Sequence, residues 1–305
     1  MQREKASDLH RTLLQWYRRE GRKFPWRATQ DPYQVLVSEI MLQQTQTSRV
    51  HEKYPLFLKR FPTIRDLARA HRRSVVLEWR GMGYNNRAVR LHQLARAVTT
   101  EHSGTIPDDA KTLLALPGIG RYTANALLSF AFHRSVPLVE TNVRRVFSRL
   151  LLPMKRTSDL IDIPHAWEIA SGLLPVRRSA DWNQALMDLG ATVCTARNPR
   201  CGSCPVSRFC ASVGSMKMPA SYVPKREPSF KGIPNRIHRG RIIELLRNTG
   251  RGRSIRVARL GSGLQAGFRQ DNMDWLRSVL AGLERDGLVR ISRGKSVKSE
   301  TVRLA

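Results

Sequence analysis

All four cysteines of this 305-residue chain fall within one short stretch, at Cys194, Cys201, Cys204 and Cys210. Cysteines this concentrated cannot cross-link a chain of this length, and inside a reducing cell they stay as thiols. Four thiolates close in sequence can surround one metal centre, and both tetrahedral zinc and a four-iron cluster take four cysteines. Zinc sites usually contain two short cysteine pairs, whereas this stretch contains one. The spacing therefore favours a [4Fe-4S] cluster held by residues 192–212, with zinc or unligated thiols as the alternatives.

The first two thirds of the chain have the apolar spacing of α-helices. Leu9, Leu13, Trp16 and Tyr17 begin this pattern near the N-terminus. Further helices are predicted over residues 35–46, 54–61, 75–79, 87–98, 109–116, 122–132, 143–151 and 166–174. No alternation typical of strands interrupts them, so residues 1–215 are predicted to form an all-α core that ends with the cysteine loop.

A linker with four prolines is predicted over residues 216–234. The last part of the chain, residues 235–305, combines two helical patterns with two alternating segments. The helices are predicted over 237–246 and 273–283, and the strands over 288–291 and 301–304. A basic turn at residues 293–295 joins the strands. This order predicts a small α+β module of winged-helix type after the helical core.

The net charge of the chain is +29, from 53 lysines and arginines against 24 acidic residues. Residues 216–305 carry 20 of the basic and 7 of the acidic side chains, so the excess is spread along the whole chain. A charge this large indicates a polyanionic partner, most simply double-stranded DNA. A solubilising surface is the alternative. No apolar run long enough for a membrane span and no secretory signal are visible, so we expect a cytoplasmic protein.

Two glycines mark a tight turn between two predicted helices, in the segment Leu116–Ala124. Gly118 and Gly120 permit close backbone turns, and a helix begins directly after them. The N–H groups at the start of that helix form an anion site of backbone, beside the side chains of Arg121 and Thr123. The segment thus predicts contact with a DNA phosphate, while an ordinary turn between packed helices is the alternative.

The turn and the cysteine spacing together resemble the helix–hairpin–helix DNA glycosylase superfamily that carries a four-iron cluster, the endonuclease III group. Further motifs are similar to one branch of it, the MutY adenine glycosylases. They are Phe24–Arg27, Asp31–Tyr33, Ser38–Gln46, Gly81–Tyr84, Leu116–Ala124 and Asn183–Ala191. The resemblance covers residues 8–212 and implies a six-helix domain plus an iron–sulfur helical domain. We also expect a nucleoid-associated monomer that binds duplex DNA at a mismatch or lesion.

Base excision needs a proton donor for the departing base and an anion for the sugar cation, and the base must leave the stack. Glu39 is the first carboxyl candidate. On its predicted helix it shares a face with Val35, Leu36 and Leu42. Burial on such a face raises the pKa of a carboxyl group, which suits a proton donor. The resemblance implies that Glu39 protonates adenine, and an ion pair with an arginine is the alternative.

Glu140, just before the helix predicted at 143–151, is the second carboxyl candidate. The resemblance implies that it stabilises the sugar cation and that Asn142 orients the site. The family normally has Asp at this position, and the longer side chain of Glu moves the carboxylate by more than ~1 Å. The rate and the substrate are therefore left open. In the alternative interpretation Thr141 or Asn142 caps the helix and Glu140 lies beside its dipole.

Three further residues match functional positions of the family. Tyr122 stands where the lyase branch has a Schiff-base lysine, so we predict base excision without efficient β-lyase activity. Gln44 and Tyr84 match residues that enter the duplex around the lesion, as expected of proteins that kink DNA. From the residues alone these three also fit structural roles, as packed aromatic side chains and a polar helix face.

The resemblance ends before the C-terminal segment. Many family members carry a Nudix-like domain there that reads 8-oxoguanine, and residues 235–305 do not look like one. Arg251, Arg253, Arg256 and residues 293–295 predict an added grip on the duplex, against a solvated appendage as the alternative. Three functions are then open: excision of adenine opposite 8-oxoguanine or G, excision of T, U or a modified base, and DNA binding by a non-catalytic iron–sulfur protein.

Overall fold

The structure, a computed structural model, describes residues 3–154, 160–214, 227–250, 252–265, 268–293 and 299–305. The chain forms two compact units. Unit one consists of Met1–Leu36, Pro107–Ala115 and Ile119–Val223, and unit two of Val37–Ile106, Leu116–Gly118 and Pro224–Ala305. Among the described residues, no helix is long and apolar enough to cross a membrane.

Helices dominate both units. The first seven are α1 (Arg3–Glu20), α2 (Pro32–Leu42), α3 (Thr47–Arg60), α4 (Ile64–Arg69), α5 (Arg72–Glu78), α6 (Asn86–Glu101) and α7 (Ala110–Ala115). The others in the described ranges are α8 (Arg121–Phe130), α9 (Thr141–Leu151), α10 (Ile163–Gly172), α11 (Ser179–Thr192), α12 (Asn235–Arg247), α13 (Val257–Leu264) and α14 (Met273–Arg285). The predicted all-α core is confirmed, and α4, α11 and α13 are additional to the helices predicted from the sequence.

The core of unit one lies among α1, α9, α10 and α11, which pack on one another. Leu13, Phe147 and Trp182 are at most 1 % exposed in this core. Truncating a buried aromatic side chain of this kind costs about 3–5 kcal/mol. The packing fixes the beginning of α9 against α11, so the residues around Glu140 rest on a rigid support.

A buried carboxylate connects the segment before α2 to α11. Asp188, whose side chain is 1 % exposed, accepts bonds of 2.8 Å from the guanidinium groups of Arg22 and Arg27. Burial by itself raises the pKa of Asp188, but the hydrogen bonds and charges of Arg27 and Arg22 leave it below its ordinary value. The motifs Phe24–Arg27 and Asn183–Ala191 are therefore two halves of one ion-pair network.

Unit two begins within α2 and continues through α3 to α6, with α4 and α5 packed on α6. Phe57 and Trp79 meet edge to face, with ring centroids 5.7 Å apart, and both are at most 1 % exposed. Thr63 and Asp66 begin α4 with a capping box, in which each side chain binds the backbone N–H of the other. These contacts leave the loops between α2 and α3 and between α5 and α6 at the surface.

The C-terminal segment of unit two combines α12 to α14 with two small sheets. The strands are β1 (Ser229–Phe230), β2 (Ile233–Pro234), β3 (Ile255–Arg256), β4 (Val289–Ser292) and β5 (Thr301–Leu304). β1 and β2 pair with each other, and the second sheet is antiparallel with the order β3-β5-β4. The two predicted strands and the predicted small α+β module are confirmed. Arg251 and residues 294–298, which include part of the predicted basic turn, lie outside the described residues.

The C-terminal segment packs on α5 and on the loop that follows it. Nη2 of the buried Arg247 donates to the carbonyl oxygen of Val76 and to Oδ1 of Asn85, each at 2.8 Å. Arg80 forms an ion pair with Glu244 on α12. These bonds place the segment in the same compact unit as α3 to α6. The predicted division of the chain into a core (1–215), a linker (216–234) and a small domain (235–305) stays a prediction.

Several predicted helix boundaries are wrong: the helix predicted over 54–61 spans Thr47–Arg60, and the one predicted over 166–174 spans Ile163–Gly172. The error that moves a site residue is at α2, because the helix predicted over 35–46 spans Pro32–Leu42 instead. It begins earlier because the carboxylate of Asp31 accepts a bond of 2.8 Å from an N–H group of its first turn. It ends earlier because carbonyl groups of its last turn bind the guanidinium group of Arg87. Gln44 therefore lies in a loop and not on the helix.

Candidate functional site

Glu39 lies in the middle of α2 and is 6 % exposed. Of the residues predicted to share its helix face, Val35 and Leu36 are buried and Leu42 is half-buried. Glu39 therefore lies on the buried face of α2, and its role as a proton donor stays a prediction.

Gln44 follows α2 in a loop and has a left-handed backbone, with φ of +54°. Its side chain is exposed. A non-glycine residue adopts this conformation only when the surroundings stabilise it. Nη1 of Arg87 supplies that support, because it donates to the carbonyl oxygens of Ile40 at 2.9 Å, of Met41 at 3.0 Å and of Gln43.

Tyr84 lies in a second loop, between α5 and α6, and is also left-handed, with φ of +42°. Gly81 and Gly83 before it have φ of +85° and +70°, a region that glycine adopts without strain. Nη2 of Arg87 donates to the carbonyl oxygens of Met82 at 3.1 Å and Gly83 at 3.2 Å. The aromatic side chain of Tyr84 is 46 % exposed, so it projects from the surface.

Gln44 and Tyr84 therefore share one buried support. Arg87 is 5 % exposed and also donates to Oγ1 of Thr45 at 2.8 Å. Burial lowers the pKa of Arg87 to about 10, which leaves the group charged at neutral pH. Sequence reasoning missed this residue. The signal that could have found it is a charged residue on the apolar face of α6, beside Ala88 and Leu91.

The predicted turn around Gly118 joins α7 and α8. Gly118 has φ of +83°, whereas Gly120 is extended and has open space where a side chain would stand. The left-handed backbone thus requires glycine at position 118. At position 120, the missing side chain leaves the N–H groups at the start of α8 uncovered. Thr123 is buried, so its side chain is not part of the surface. Arg121 is exposed and lies over the ring of Trp167, 4.0 Å from its centroid.

Glu140 is half-buried and is itself the N-cap of α9. Its carboxylate accepts bonds from the backbone N–H groups of Asn142 at 2.8 Å and Val143 at 3.0 Å. Nδ2 of Asn142 adds a third bond at 3.2 Å. The alternative in which Thr141 or Asn142 caps this helix is therefore wrong, because Glu140 takes that position. A negative group at the positive end of α9 is held in one orientation.

Asn142 is fixed in turn by a buried arginine. Nη2 of Arg145 donates to Oδ1 of Asn142 and to the carbonyl oxygen of Gly190, both at 2.7 Å, and Nε donates to the carbonyl oxygen of Cys194 at 2.9 Å. A Cβ atom on Gly190 would lie 2.7 Å from Cβ of Asn142, so only glycine allows α11 this close. Neither Arg145 nor the role of Gly190 was predicted from the sequence.

α11 also supports Tyr122 and the segment before Glu140. The O–H group of Tyr122, in the first turn of α8, lies 3.6 Å from the sulfur of Met187. Oδ1 of Asn183 accepts a bond of 3.2 Å from the backbone N–H of Leu138. Tyr122 is half-buried and presents no amine, so an imine with a sugar cannot form at this position.

The four cysteines line one small cavity in unit one, together with Val193 and Arg149. The guanidinium group of Arg149 lies 3.5 Å from Sγ of Cys194. Burial raises the pKa of the Cys204 thiol to about 11, and the neighbouring cysteines add to this effect. Four thiolates can share the cavity only around a cationic centre, so the donor set fits an iron–sulfur cluster.

A single metal ion fits less well. Among the described residues, no group of three or more His, Cys, Asp or Glu side chains converges closely enough to hold one ion. A four-iron cluster places several metal atoms between its cysteines, and its ligands can therefore stand further apart. The cluster ligands are the four cysteines predicted from the sequence, Cys194, Cys201, Cys204 and Cys210.

The site residues fall into two groups that are built separately. Glu39, Gln44 and Tyr84 belong to unit two, and Arg87 connects the last two of them. In unit one, α9 and α11 hold the residues of the other group, which are Tyr122, Glu140, Asn142 and the four cysteines.

Comparisons with known proteins show the family to which the chain belongs. Residues 37–162 match the family model of the HhH-GPD superfamily base excision DNA repair proteins, and residues 194–210 match the iron–sulfur binding domain of endonuclease III. The adenine DNA glycosylase of Mycobacterium tuberculosis (strain H37Rv) is 41% identical over 237 residues, which is 77% of this chain and 77% of that protein. The chain belongs to the adenine DNA glycosylase family. The human adenine DNA glycosylase is 41% identical over 208 residues, which is 65% of this chain but 38% of the human protein.

Solved structures show the same fold. A thermostable thymine-DNA glycosylase superposes with a TM-score of 0.63 and 31% identity, covering 68% of this chain and 96% of that chain. An endonuclease III–DNA complex superposes with a TM-score of 0.58 and 22% identity, covering 68% of this chain and 95% of that chain. The predicted helix–hairpin–helix glycosylase fold is thus confirmed. The prediction of a [4Fe-4S] cluster is confirmed as well, because the iron–sulfur domain covers all four cysteines.

Proposed function

We propose that this glycosylase hydrolyses the N-glycosidic bond of adenine opposite 8-oxoguanine or G in duplex DNA. The observation that carries the proposal is the contrast between two carboxyl groups. Glu39 is 6 % exposed on the buried face of α2, whereas Glu140 is half-buried and held by three N–H donors at the start of α9. Surroundings this different suit one carboxyl group to proton donation and the other to charge stabilisation.

In the proposed reaction the bond between the sugar and adenine breaks, and its electron pair leaves with the base. Glu39 donates the proton that neutralises the departing base. The sugar becomes cation-like, and the carboxylate of Glu140 stabilises that positive charge. Water then adds to the sugar and its proton leaves, so the products are free adenine and an abasic site.

The Glu at position 140, where Asp is usual, is compatible with this role. Its carboxylate bonds to two backbone N–H groups of α9, so the longer side chain is drawn back to the helix instead of extending freely. Asn142 restrains it further and is itself held by Arg145. We therefore propose that Glu140 stabilises the sugar cation and Asn142 positions it.

Strand cleavage is not part of the proposed activity. The lyase route needs an amine that attacks the sugar and forms an imine. Tyr122 supplies a phenol at the position where the lyase branch has lysine. The enzyme is thus monofunctional, and the abasic strand stays intact until another reaction cleaves it.

Contact with DNA is proposed at two kinds of element. Gln44 and Tyr84 are exposed side chains on strained loops, and we propose that they enter the duplex beside the excised base. At the turn before α8, Gly118 and Gly120 leave the backbone N–H groups open to a phosphate. Arg121 adds charge there, and Thr123 contributes through its backbone. We propose that the protein acts as a monomer on a mismatched or lesion-bearing duplex and is nucleoid-associated.

A second candidate is excision of T or U opposite G. The structural similarity to a thymine-DNA glycosylase favours it, at 31% identity over 68% of this chain. The curated relatives favour adenine, since proteins named adenine DNA glycosylase are 41% identical over 77% of this chain. We therefore place adenine first.

A single-turnover assay on four duplexes distinguishes these functions. Each duplex carries A opposite 8-oxoguanine, A opposite G, T opposite G or U opposite G, with and without alkaline treatment after the reaction. We expect release of adenine alone, with cleavage of the adenine strand only after alkali. Release of T or U without adenine would support the second candidate. Tight DNA binding without any release, unchanged by Glu140→Asp, would support a non-catalytic DNA-binding protein.

A further inference from the structure

Arginines line two adjoining grooves of unit two, on the side formed by α4 to α6 and the sheet of the C-terminal segment. The larger groove has a volume of about 450 Å³ and the smaller one of about 250 Å³, and both are lined by His71, Arg290 and Ala305. We call the arginines that line the two grooves the arginine surface. They are Arg69, Arg72, Arg73, Arg96, Arg253, Arg290 and Arg303.

The charge of this surface is not neutralised by acidic side chains. Within the described ranges, none of its arginines forms an ion pair with Asp or Glu, and no Asp or Glu side chain lines either groove. Arg73 donates to the carbonyl oxygen of Thr249 at 2.6 Å, which orients the side chain but leaves its charge in place.

The grooves also contain two histidines. His92 is buried, and its burial lowers its pKa below the ordinary value. His71 is the N-cap of α5, where its Nδ1 accepts a bond of 3.2 Å from the backbone N–H of Arg73. The permanent positive charge of the surface comes from its seven arginines.

Two of these arginines face each other directly. Arg290 on β4 and Arg303 on β5 are partners in the antiparallel register, and both side chains are exposed. Like charges at opposite positions of a strand pair destabilise the sheet. At the neighbouring position of the same two strands, Val289 and Leu304 form a buried apolar cross-strand pair. A repulsive pair next to further unneutralised arginines is the arrangement of a surface that binds an anion from outside the chain.

The surface depends on the C-terminal segment. Arg69, Arg72, Arg73 and Arg96 come from α4 to α6, whereas Arg253, Arg290 and Arg303 come from residues beyond 250. Arg72 lies 3.5 Å from the carbonyl oxygen of Gly287, so the two contributions adjoin within unit two. The surface is thus complete only when the C-terminal segment is folded onto α5.

We propose that the arginine surface binds the phosphate backbone of double-stranded DNA, outside the segment in which a base is excised. This inference rests on the proposed function for the identity of the polyanion. Guanidinium groups bind phosphate oxygens through paired N–H donors, and a row of them in two grooves fits a chain of phosphates better than one small anion. The C-terminal segment then supplies grip on the duplex without reading its bases.

The test uses the full chain and compares Arg290→Gln/Arg303→Gln with a matched control. Arg60→Gln/Arg134→Gln removes the same net charge, but from exposed arginines that already pair with Glu78 and Asp108. Affinity is measured for an undamaged duplex that covers only the excision segment and for one extended by two helical turns, over a range of salt concentrations. Thermal unfolding is measured with and without the longer duplex.

We expect the double variant of the surface to bind the longer duplex about tenfold more weakly, with a salt slope smaller by about 1–2. The shorter duplex and the control variant should change much less. Without DNA, the surface variant should unfold at the same or a slightly higher temperature, because a repulsive pair is removed.

Equal effects of the two double variants on the longer duplex would overturn the proposal, because net charge and not position would then explain the binding. An equal loss of affinity for a single-stranded RNA of the same length would overturn the assignment to duplex DNA. Failure of the proposed function is distinguishable from both. It would appear as no base release by the wild-type protein, while the measurements on undamaged duplex still report on the surface.

Discussion

Buried arginines bind the backbone of functional loops in both units, but only in unit one do cysteine ligands also stabilise the loop. In unit one, Arg145 and Arg149 bind carbonyl oxygens around Cys194, in a segment that is also tied down by its cysteine ligands. In unit two, Arg87 binds carbonyl oxygens of both the Gln44 and the Tyr84 loops, and neither loop contains one of the four cysteines. In unit two, the conformation of both loops therefore depends mainly on Arg87, whereas in unit one the arginines and the cysteine ligands share this role.

The largest effect on stability is expected for Arg87→Met. This change leaves several carbonyl groups beneath both loops without their donor, and we expect the free energy of unfolding to fall by about 3–5 kcal/mol. Adenine release should fall at least a hundredfold even at temperatures where the variant is folded, because Gln44 and Tyr84 lose their position. Thermal unfolding and single-turnover kinetics check the two effects separately.

Arg87→Lys is the matched variant, since it keeps the charge but cannot form the fork of bonds. It should fold better than Arg87→Met and still release adenine slowly. Wild-type kinetics in both variants would show that the loops hold their conformation without this residue, and the comparison between the units would fail.

Asp188→Asn breaks the ion-pair network of unit one and should cost about 2–3 kcal/mol at pH 7. The hydrogen bonds and charges of Arg27 and Arg22 keep the pKa of Asp188 below its ordinary value in the folded state. Its stabilisation is therefore present above the ordinary pKa and is lost as the pH falls through the folded value. The difference in unfolding free energy between the variant and the wild type should begin to shrink as the pH falls below about 4 and should vanish below the folded pKa of Asp188. A difference that is constant with pH would contradict the ion-pair assignment.

Arg149→Met should be milder than Arg87→Met, because the cysteine ligands still hold the loop. We expect a loss of about 1–3 kcal/mol, with the brown colour of the cluster retained. Removing the iron with a chelator takes away the second support, so trypsin should then cut near Arg197 and Arg200 faster in the variant than in the wild type. Equal cleavage rates would mean that Arg149 does not support this loop.

The smallest effect is expected at the turn before α8. Gly118→Ala should cost about 1 kcal/mol, because φ is +83° there. Gly120→Ala should change stability little, since that backbone is extended and the space around it is open. The second variant should instead weaken DNA binding, if a phosphate approaches that backbone. Thermal unfolding and duplex affinity are measured on both variants. They check that Gly118→Ala affects mainly stability and Gly120→Ala mainly DNA binding.

Much of the fold and part of the site follow from local sequence patterns. The helices follow from apolar spacing, the strand Thr301–Leu304 from alternation, and the cysteine ligands from their own separation. The end of α2 does not, because it is set by Arg87, which lies more than forty positions away in the sequence. The cap of α9 was missed for a local reason. Glu140 binds N–H groups only two and three residues further on, but Thr141 and Asn142 belong to the residue types usually found at this position.

Glu39 carries the central claim, and a single variant tests it. Adenine release from A opposite 8-oxoguanine is measured in single turnover at saturating protein for the wild type and Glu39→Gln, with duplex affinity measured in parallel. The account predicts that the variant binds the duplex as tightly as the wild type but releases adenine at least a thousandfold more slowly, because the proton donor is gone. Adenine release at the wild-type rate by Glu39→Gln would contradict it.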